Sequence, residues 1–272
     1  MSGWIDGRPA DTLSVRNRGL AYGDGLFETV AVRAGRPSLL DQHLQRLQRG
    51  CDRLRITADH FLIRDELLAF AAQLGDGVMK LILSRGDSQR GYAPDPHSRP
   101  LRILQGGPLP AYPAAHAELG VRLFPCVTRL AEQPLLAGLK HLNRLEQVLA
   151  RSEWQSPEFA EGLMRDTSGR VIEGVYSNLF IVRDGLLITA DLSRAGVAGV
   201  MRAALLEQAP ALGIQVDVRD LQMADLEHAD EVFVCNSVYG IWPVHGFEQL
   251  SWPVGPLTRK LQRTAVALLD IA

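Results

Sequence analysis

The chain has 272 residues, of which 46% are hydrophobic and 22% are charged, and its formal net charge is −2. These values are typical of a globular protein with one large domain or two ordinary ones. The small net charge gives no general attraction to nucleic acid or to an anionic membrane surface.

The cysteines and the apolar patterning indicate where the protein works. Cys51, Cys126 and Cys235 are far apart, lack the spacing of a zinc site and cannot all pair within the chain. The chain starts without a signal-peptide pattern and has no apolar run of ~18 residues. We therefore expect a cytoplasmic protein with no metal site, no membrane partner and no nucleic-acid partner.

The first hundred residues predict a mixture of strands and helices. Gly23 and Gly25 precede a β-rich run that includes Phe27 and Thr29, and two glycines so close together mark a tight turn or a close backbone approach. A helix capped by Asp41 follows, with His43 and Arg46 near its start, where a cation would suit a nearby anion.

A buried strand at 78–84 leads into a polar loop that carries Arg90 and Tyr92, and loops of this length often line functional sites. Three prolines and two glycines at 106–115 have the composition of a linker. We predict an N-terminal domain over 1–106, a linker over 107–118 and a C-terminal domain over 119–272.

The stretch 138–149 contains the most informative lysine, Lys140. Asn143 and Glu146 have the spacing of a capping box and predict a helix that starts near Asn143. Lys140 would then lie just before the positive end of a helix dipole, which disfavours its ammonium form and favours Schiff-base chemistry. The helix is expected to be amphipathic and buried along Leu142, Leu145, Val148 and Leu149.

The second half predicts strands joined by hairpins, with a helix opened by the glycines of 196–202. Backbone amides at such a helix start suit an anion. A strong strand at 231–235 ends in the polar pair Asn236-Ser237, and Pro256 opens a final helix. Consecutive hairpins favour two mixed α/β domains over a doubly wound parallel sheet.

In their order along nearly the whole chain, these motifs resemble the fold-type IV pyridoxal-phosphate enzymes, a family of branched-chain aminotransferases, D-amino-acid aminotransferases and aminodeoxychorismate lyases. The matching segments are 22–29, 43–47, 138–147, 173–180, 199–202 and 235–237. The resemblance implies an α+β (mixed α/β) protein of two domains, a smaller N-terminal α/β domain and a larger C-terminal domain with a barrel-like sheet. It also implies a homodimer.

The resemblance assigns roles to individual residues around pyridoxal 5′-phosphate. Lys140 would hold the cofactor as a Schiff base and later carry protons, and Glu173 would keep the pyridine nitrogen protonated. Thr29 is a second catalytic candidate. The remaining cofactor contacts would come from Arg46, Asn178, Val200, Met201, Asn236 and Ser237. The substrate side would be lined by Tyr22, Phe27, Arg90 and Tyr92.

Within this fold, the lysine stretch resembles the aminodeoxychorismate lyases. The branched-chain enzymes usually carry a tyrosine where this chain has Leu145, and the D-amino-acid enzymes an Arg-x-His trap where this chain has Arg90-Gly91-Tyr92. The implied reaction converts 4-amino-4-deoxychorismate to 4-aminobenzoate and pyruvate, a step toward folate. Two alternatives stay open: an aminotransferase of the same fold, and a non-catalytic protein that binds the cofactor.

Overall fold

The computed structural model describes residues 3–89 and 91–269, and the chain forms two compact units. Unit 1 contains Met1–Pro110 and Leu139–Asn143, and unit 2 contains Ala111–Gly138 and Arg144–Ala272. The boundary at Pro110 lies in the predicted linker. The return of Leu139–Asn143 to unit 1 was not foreseen, because the sequence prediction had a single boundary.

Unit 1 is a six-stranded sheet with two long helices on one face. Its sheet order is β2-β1-β6-β5-β3-β4, and every neighbouring pair is antiparallel. Its elements are β1 (Gly3–Ile5), β2 (Arg8–Pro9), α1 (Arg18–Tyr22), β3 (Gly25–Arg33), β4 (Arg36–Pro37), α2 (Leu40–Leu54), α3 (His60–Leu74), β5 (Gly77–Ser84) and β6 (Leu101–Gly107).

Alternation along the strands of unit 1 explains which sheet face is buried. Leu26 and Val30 of β3 and Leu81 of β5 join a core that the apolar sides of α2 and α3 complete. The other face of β3 and β5 is half-buried and carries the intervening residues, among them Phe27 and Thr29.

Unit 2 contains nine strands, six of which close into a barrel. The ring runs β10-β13-β14-β7-β8-β9 and returns to β10, while β11 and β12 extend from β10 and β15 pairs with β14. The strands are β7 (Val121–Leu130), β8 (Phe159–Asp166), β9 (Val171–Gly174), β10 (Asn178–Arg183), β11 (Leu186–Ala190), β12 (Val216–Arg219), β13 (Glu231–Asn236), β14 (Gly240–Phe247) and β15 (Leu250–Ser251).

The helices of unit 2 are α4 (Ala115–Glu118), α5 (Leu145–Ser152), α6 (Val200–Gln208), α7 (Met223–Glu227) and α8 (Pro256–Leu268), with a 3₁₀ turn at Pro210–Leu212. Both α6 and α8 pack on β13. The α+β class and the barrel-like sheet are as predicted. In the described part of the chain, no helix has both the length and the apolarity needed to cross a membrane.

Candidate active site

Lys140 lies in an extended segment that pairs with the start of β3. The Phe27 amide donates to the Lys140 carbonyl at 2.9 Å, and the Leu142 amide donates to the Gly25 carbonyl at 3.0 Å. These two bonds fix the backbone on both sides of His141, which forms a bridge with Leu26. The lysine is therefore held by a short strand-like pairing within unit 1.

A helix does begin close to Asn143, but Asn143 and Glu146 do not form the predicted capping box. Helix α5 begins at Leu145, and its N-cap residue, Arg144, makes no side-chain cap. The side-chain Nδ2 of Asn143 instead donates to Gly23 O at 3.4 Å, and the Glu146 carboxylate accepts from the Ala131 backbone amide at 2.8 Å. Local pairing of the two side chains is replaced by these tertiary bonds.

Two consequences follow for the lysine stretch. Lys140 lies five residues before the first residue of α5 in sequence, so it does not directly precede the helix start as the helix-dipole argument assumed. The predicted burial of the helix face is also wrong, because Leu145 is 76% exposed, Val148 61% and Leu149 58%.

The side chain of Lys140 contacts an aromatic ring of β3. Its Nζ lies 4.5 Å from the centroid of the Phe27 ring, and both residues are half-buried. Thr29 lies two residues further along the same face of β3. The structure thus brings together three of the predicted site residues.

On the opposite face of β3, Glu28 binds two cationic or potentially cationic side chains of α2. Its carboxylate accepts from Arg46 Nε at 2.8 Å and from a second Arg46 nitrogen, and it lies 2.6 Å from His43 Nδ1. Burial acts to raise the pKa of Glu28, but the Arg46 guanidinium outweighs it and lowers the pKa to about 2. Burial also lowers the pKa of His43, so its ring is neutral at pH 7 and donates Nδ1–H to Glu28.

Glu28 is a residue that the sequence analysis missed. The signal was available, because His43 and Arg46 are three residues apart and share one side of α2, where a buried carboxylate could meet both. Arg46 was predicted to bind the cofactor phosphate. The structure shows its guanidinium bonded to Glu28, and the phosphate role stays a prediction.

The predicted substrate-side residues are partly anchored by Arg18, which is only 4% exposed. Arg18 donates to Gly91 O at 3.0 Å and to Tyr92 O at 2.8 Å, and its guanidinium lies 4.9 Å from the Tyr22 ring. The Tyr22 hydroxyl accepts from the Gly91 amide, and the Tyr22 and Tyr92 rings are 5.5 Å apart. Arg90, the fourth predicted substrate residue, lies outside the described residues.

In unit 2, Glu173 and Asn178 face each other where β9 meets β10. Glu173 is 3% exposed, and its Oε2 accepts from the Val197 amide at 2.8 Å and from Asn178 Nδ2 at 3.4 Å. Asn178 also donates to Val197 O at 2.9 Å and accepts from the Gly199 amide at 3.0 Å. The two side chains fix the segment that precedes α6.

This segment needs glycine at two positions. Gly196 has a φ of +83°, and a Cβ there would lie 2.7 Å from a methyl group of Ile172. A Cβ on Gly199 would lie 2.0 Å from Asn178 Oδ1. The close approach places Gly199 as the N-cap of α6, whose first amides, those of Val200 and Met201, have no intrahelical partners and suit an anion.

Asn236 ends β13 and uses its side chain to stabilise the turn that follows. Its Oδ1 accepts from the amides of Val238 and Tyr239 at 2.9 and 3.0 Å, and its Nδ2 donates to Tyr176 O at 3.3 Å. The side chain of Asn236 is therefore engaged within unit 2. The predicted cofactor contacts of Asn236 and Ser237 stay predictions.

A second buried carboxylate, Glu161 of β8, supports the turn between Glu173 and Asn178. Its oxygens accept from the amides of Val175 and Tyr176 at 2.9 and 3.3 Å and from the Ser177 hydroxyl at 2.7 Å. Burial raises the pKa of Glu161 to about 7 against the opposing effect of these donors. This role could not be predicted from local sequence patterns, because β8 and the turn come together only in the folded chain.

Comparison with known proteins identifies the family to which the chain belongs. A sequence model of the amino-transferase class IV family matches residues 25–247, which include Lys140, Glu173, Asn178 and the start of α6. The chain belongs to the amino-transferase class IV family.

Relatives in this family include both lyases and aminotransferases. The chain is 38% identical over 264 residues to the aminodeoxychorismate lyase of Vibrio harveyi, covering 95% of this chain and 97% of the relative. It is similar to the crystal structure of 4-amino-4-deoxychorismate lyase from Pseudomonas aeruginosa, with 63% identity, a TM-score of 0.97 and coverage of 99% and 100% of the two chains. An Escherichia coli branched-chain amino acid aminotransferase structure matches at 26% identity and a TM-score of 0.85, covering 98% and 94%.

Proposed function

We propose that this protein is a pyridoxal-phosphate-dependent lyase that converts 4-amino-4-deoxychorismate to 4-aminobenzoate and pyruvate, a step of folate biosynthesis. The chemistry is supported by Lys140, which a strand-like pairing holds against Phe27 and Thr29. The choice of a lyase is supported by whole-length similarity to two lyases, at 38% and 63% identity, against 26% for the aminotransferase structure.

The residues present fit the cofactor. A protonated pyridine nitrogen needs an anionic hydrogen-bond acceptor, and Glu173 offers a buried carboxylate whose position the Val197 amide and Asn178 fix. A phosphate needs backbone donors, and the close approach of Gly199 to Asn178 leaves the first amides of α6 for that purpose. Once the substrate amine has replaced Lys140 on it, the cofactor would supply a ring that delocalises negative charge from the carbon next to the substrate nitrogen.

The protein's own groups bind, orient and move protons. Lys140, as a free amine, removes the proton from the ring carbon that bears the substrate nitrogen. The C–O bond to the enolpyruvyl group then breaks, and one proton delivered to that group completes pyruvate, so atoms balance. The remaining ring becomes aromatic, which makes the elimination strongly downhill. Lys140 and Thr29 are the candidate proton donors.

The test is to measure pyruvate and 4-aminobenzoate from 4-amino-4-deoxychorismate with no keto acid present. We expect equal amounts of both products over many turnovers. If a cofactor-loaded enzyme forms neither product but transfers amino groups to added keto acids, the protein is an aminotransferase and the proposal is wrong.

The role of Lys140 has a separate readout. The chain contains only three lysines, Lys80, Lys140 and Lys260. Borohydride reduction of the cofactor-loaded protein is expected to label Lys140 alone in a peptide map, and Lys140→Ala should abolish both the label and turnover. A label on Lys80 or Lys260, or a fully active Lys140→Ala variant, would contradict the assignment.

We also propose a cytoplasmic homodimer. A cytoplasmic location is supported by three buried, unbridged cysteines, Cys51, Cys126 and Cys235. A dimer is supported by the exposed aliphatic face of α5, formed by Leu145, Val148 and Leu149 five to nine residues after Lys140. A second copy of the chain is the occupant that we propose for this face.

A further inference from the structure

Helix α6 begins with an arginine where helices normally carry acidic residues. Arg202 is the third residue of α6, and the first turn of this helix contains no acidic side chain. A cation there meets the positive end of the helix dipole, which favours negative charge. Arg202 is also only 9% exposed. Both features raise the free energy of a charged arginine, and such local conflicts are expected at functional sites.

The hydrogen bonds of Arg202 go to neutral oxygens. Its Nη2 donates to Ala190 O at 2.9 Å, and its Nε donates to the Thr189 hydroxyl at 3.4 Å. Within residues 3–89 and 91–269, Arg202 forms no ion pair. The carboxylates of Asp191 and Glu173 favour its charged form only from beyond ion-pair distance.

Another buried arginine of unit 2 has the carboxylate partners that Arg202 lacks. Arg170 is 4% exposed and forms ion pairs with Asp166, Glu132 and Asp220. Burial lowers the pKa of Arg202, but a guanidinium is still protonated at pH 7. Arg202 is thus a cation without a carboxylate bonded to it in the described chain, and it lies at a helix start that itself attracts anions.

Hydrogen bonds fix Arg202 close to the first amides of α6. The Thr189 hydroxyl that accepts from Arg202 donates in turn to Leu179 O at 2.7 Å. The preceding residue of β10, Asn178, accepts from the Gly199 amide at 3.0 Å. Strand β10 therefore holds the start of α6 at two points, directly at Gly199 and through Thr189 of β11 at Arg202. The first amides of the helix lie between these two residues.

We propose that Arg202 gives the start of α6 its preference for the phosphate group of the cofactor, by supplying a positive charge that this dianion neutralises. This role rests on the proposed function for the identity of the cofactor. Backbone amides offer only partial charges, whereas a buried guanidinium adds a full charge that solvent screens little. Since Arg202 also fixes the first turn, it is a positioning residue as well as a source of charge.

The test compares Arg202→Gln, which removes the charge but keeps a hydrogen-bond donor, with Arg202→Lys, which keeps the charge. Each apoprotein is titrated with pyridoxal 5′-phosphate and with pyridoxal, which has the same ring without the phosphate. We expect the preference for pyridoxal 5′-phosphate over pyridoxal to fall roughly 10- to 100-fold in Arg202→Gln and much less in Arg202→Lys. A purely structural defect would weaken both ligands alike and leave the preference unchanged.

The matched control is Arg259→Gln. Arg259 is the fourth residue of α8, and it donates to Ala117 O at 3.0 Å and to Gln262 Oε1 at 2.8 Å. Like Arg202, it forms no ion pair in the part of the chain that the structure describes. Its substitution should lower the free energy of unfolding through the loss of these hydrogen bonds. The preference for pyridoxal 5′-phosphate should stay at the native value.

The outcomes separate the role of Arg202 from the proposed function. If the native apoprotein binds neither compound, the proposed function is wrong and the role of Arg202 falls with it. If the native protein prefers pyridoxal 5′-phosphate and Arg202→Gln keeps that preference, or Arg259→Gln loses it equally, only the role of Arg202 is overturned. If Arg202→Gln does not fold, Arg202→Lys decides: a variant that keeps the charge but loses the preference overturns the role, and one that keeps both supports it.

Discussion

Glu28 links the strand that carries Phe27 and Thr29, β3, to helix α2. It lies between Phe27 and Thr29 in sequence but points to the other side, where it neutralises Arg46 and accepts a hydrogen bond from His43. The backbone that carries Phe27 and Thr29 is therefore held from behind by a buried ion pair. Such a pair is costly to break, because one charge would be left buried without its partner.

Glu28→Gln should lower the free energy of unfolding at pH 7 by about 3–5 kcal/mol. The native protein gains stability from the ionised Glu28 above about pH 4.5 and loses it as the pH falls toward about 2, because the folded pKa lies below the unfolded one. The variant should lack this part of the acid sensitivity. Urea unfolding at several pH values measures both effects.

The control is Asp41→Asn, which removes the exposed ion pair between Asp41 and Arg64 on the same two-helix layer. Exposed pairs contribute about 0–1 kcal/mol, so this variant should stay near the native stability. If the free energy of unfolding falls equally in the two variants, the buried ion pair stabilises the protein no more than the exposed one does.

At the residue scale, the sequence identified side chains that belong to recognisable motifs. Lys140, Phe27 and Thr29 were found in this way, and the structure brings them to one face. Glu28 was missed because its importance depends on a partner from another element, Arg46 on α2. Strand alternation shows which residues share a face but not what lies opposite them.

At the scale of elements, the turn 174–177 joins the two residues that form the cofactor-binding candidate of unit 2. Glu161 accepts hydrogen bonds from backbone amides of this turn. Glu173 and Asn178, at the two ends of the turn, accept hydrogen bonds from backbone amides of the segment before α6. A Cβ on Gly174 would lie 2.9 Å from the Glu161 carboxylate, so the packing leaves no room for adjustment. We therefore predict that Glu161 positions Glu173 through this turn.

Glu161→Gln should weaken cofactor binding as well as stability. The NH2 group of glutamine would face at least one of the N–H or O–H groups that now donate to Glu161. This mismatch of two donors costs roughly 1–3 kcal/mol. Cofactor affinity, measured by titration of the apoprotein, should fall together with the free energy of unfolding.

Glu231→Gln is the matched control. Glu231 is also buried and accepts from the amides of Leu257 and Thr258 at the start of α8. Its substitution should lower stability by a similar mechanism but leave cofactor affinity unchanged. If both variants bind the cofactor equally well, Glu161 has no positioning role.

Helix α5 shows where element prediction failed. The residue types at Asn143 and Glu146 matched a capping box, but the two side chains bond Gly23 O and the Ala131 amide instead. The hydrophobic spacing of Leu145, Val148 and Leu149 correctly predicted a helix. It did not predict burial within the chain, because the pattern is the same for a core face and for an interface with another molecule.

At the scale of the whole molecule, substitution on this face tests the dimer. Leu149→Glu places a charge in the proposed interface and should convert the dimer to a monomer in sedimentation or light-scattering measurements. Phe61→Glu on α3, where Phe61 is 85% exposed in unit 1, should leave the dimer intact. A native monomer, or a dimer that survives Leu149→Glu, would contradict the proposal.

The barrel of unit 2 was implied by family resemblance rather than by local pattern. Hairpins such as β10–β11 are local and were predicted, but the ring also needs the parallel pairing of β14 with β7, which joins residues near 121 and 244. Pairings so distant in sequence leave no local signal. The same limit applied to the return of Leu139–Asn143 to unit 1.

That return has a consequence for synthesis on the ribosome. The first 110 residues of the chain emerge long before the segment that carries Lys140, yet this segment belongs to the same compact unit and pairs with β3. An N-terminal domain that folds as it is made must leave the edge at Gly25–Phe27 open until residue 143 has been added. Lys140 is thus among the last parts of unit 1 to arrive, and a chain truncated after Pro110 would expose an unpaired strand edge in its place.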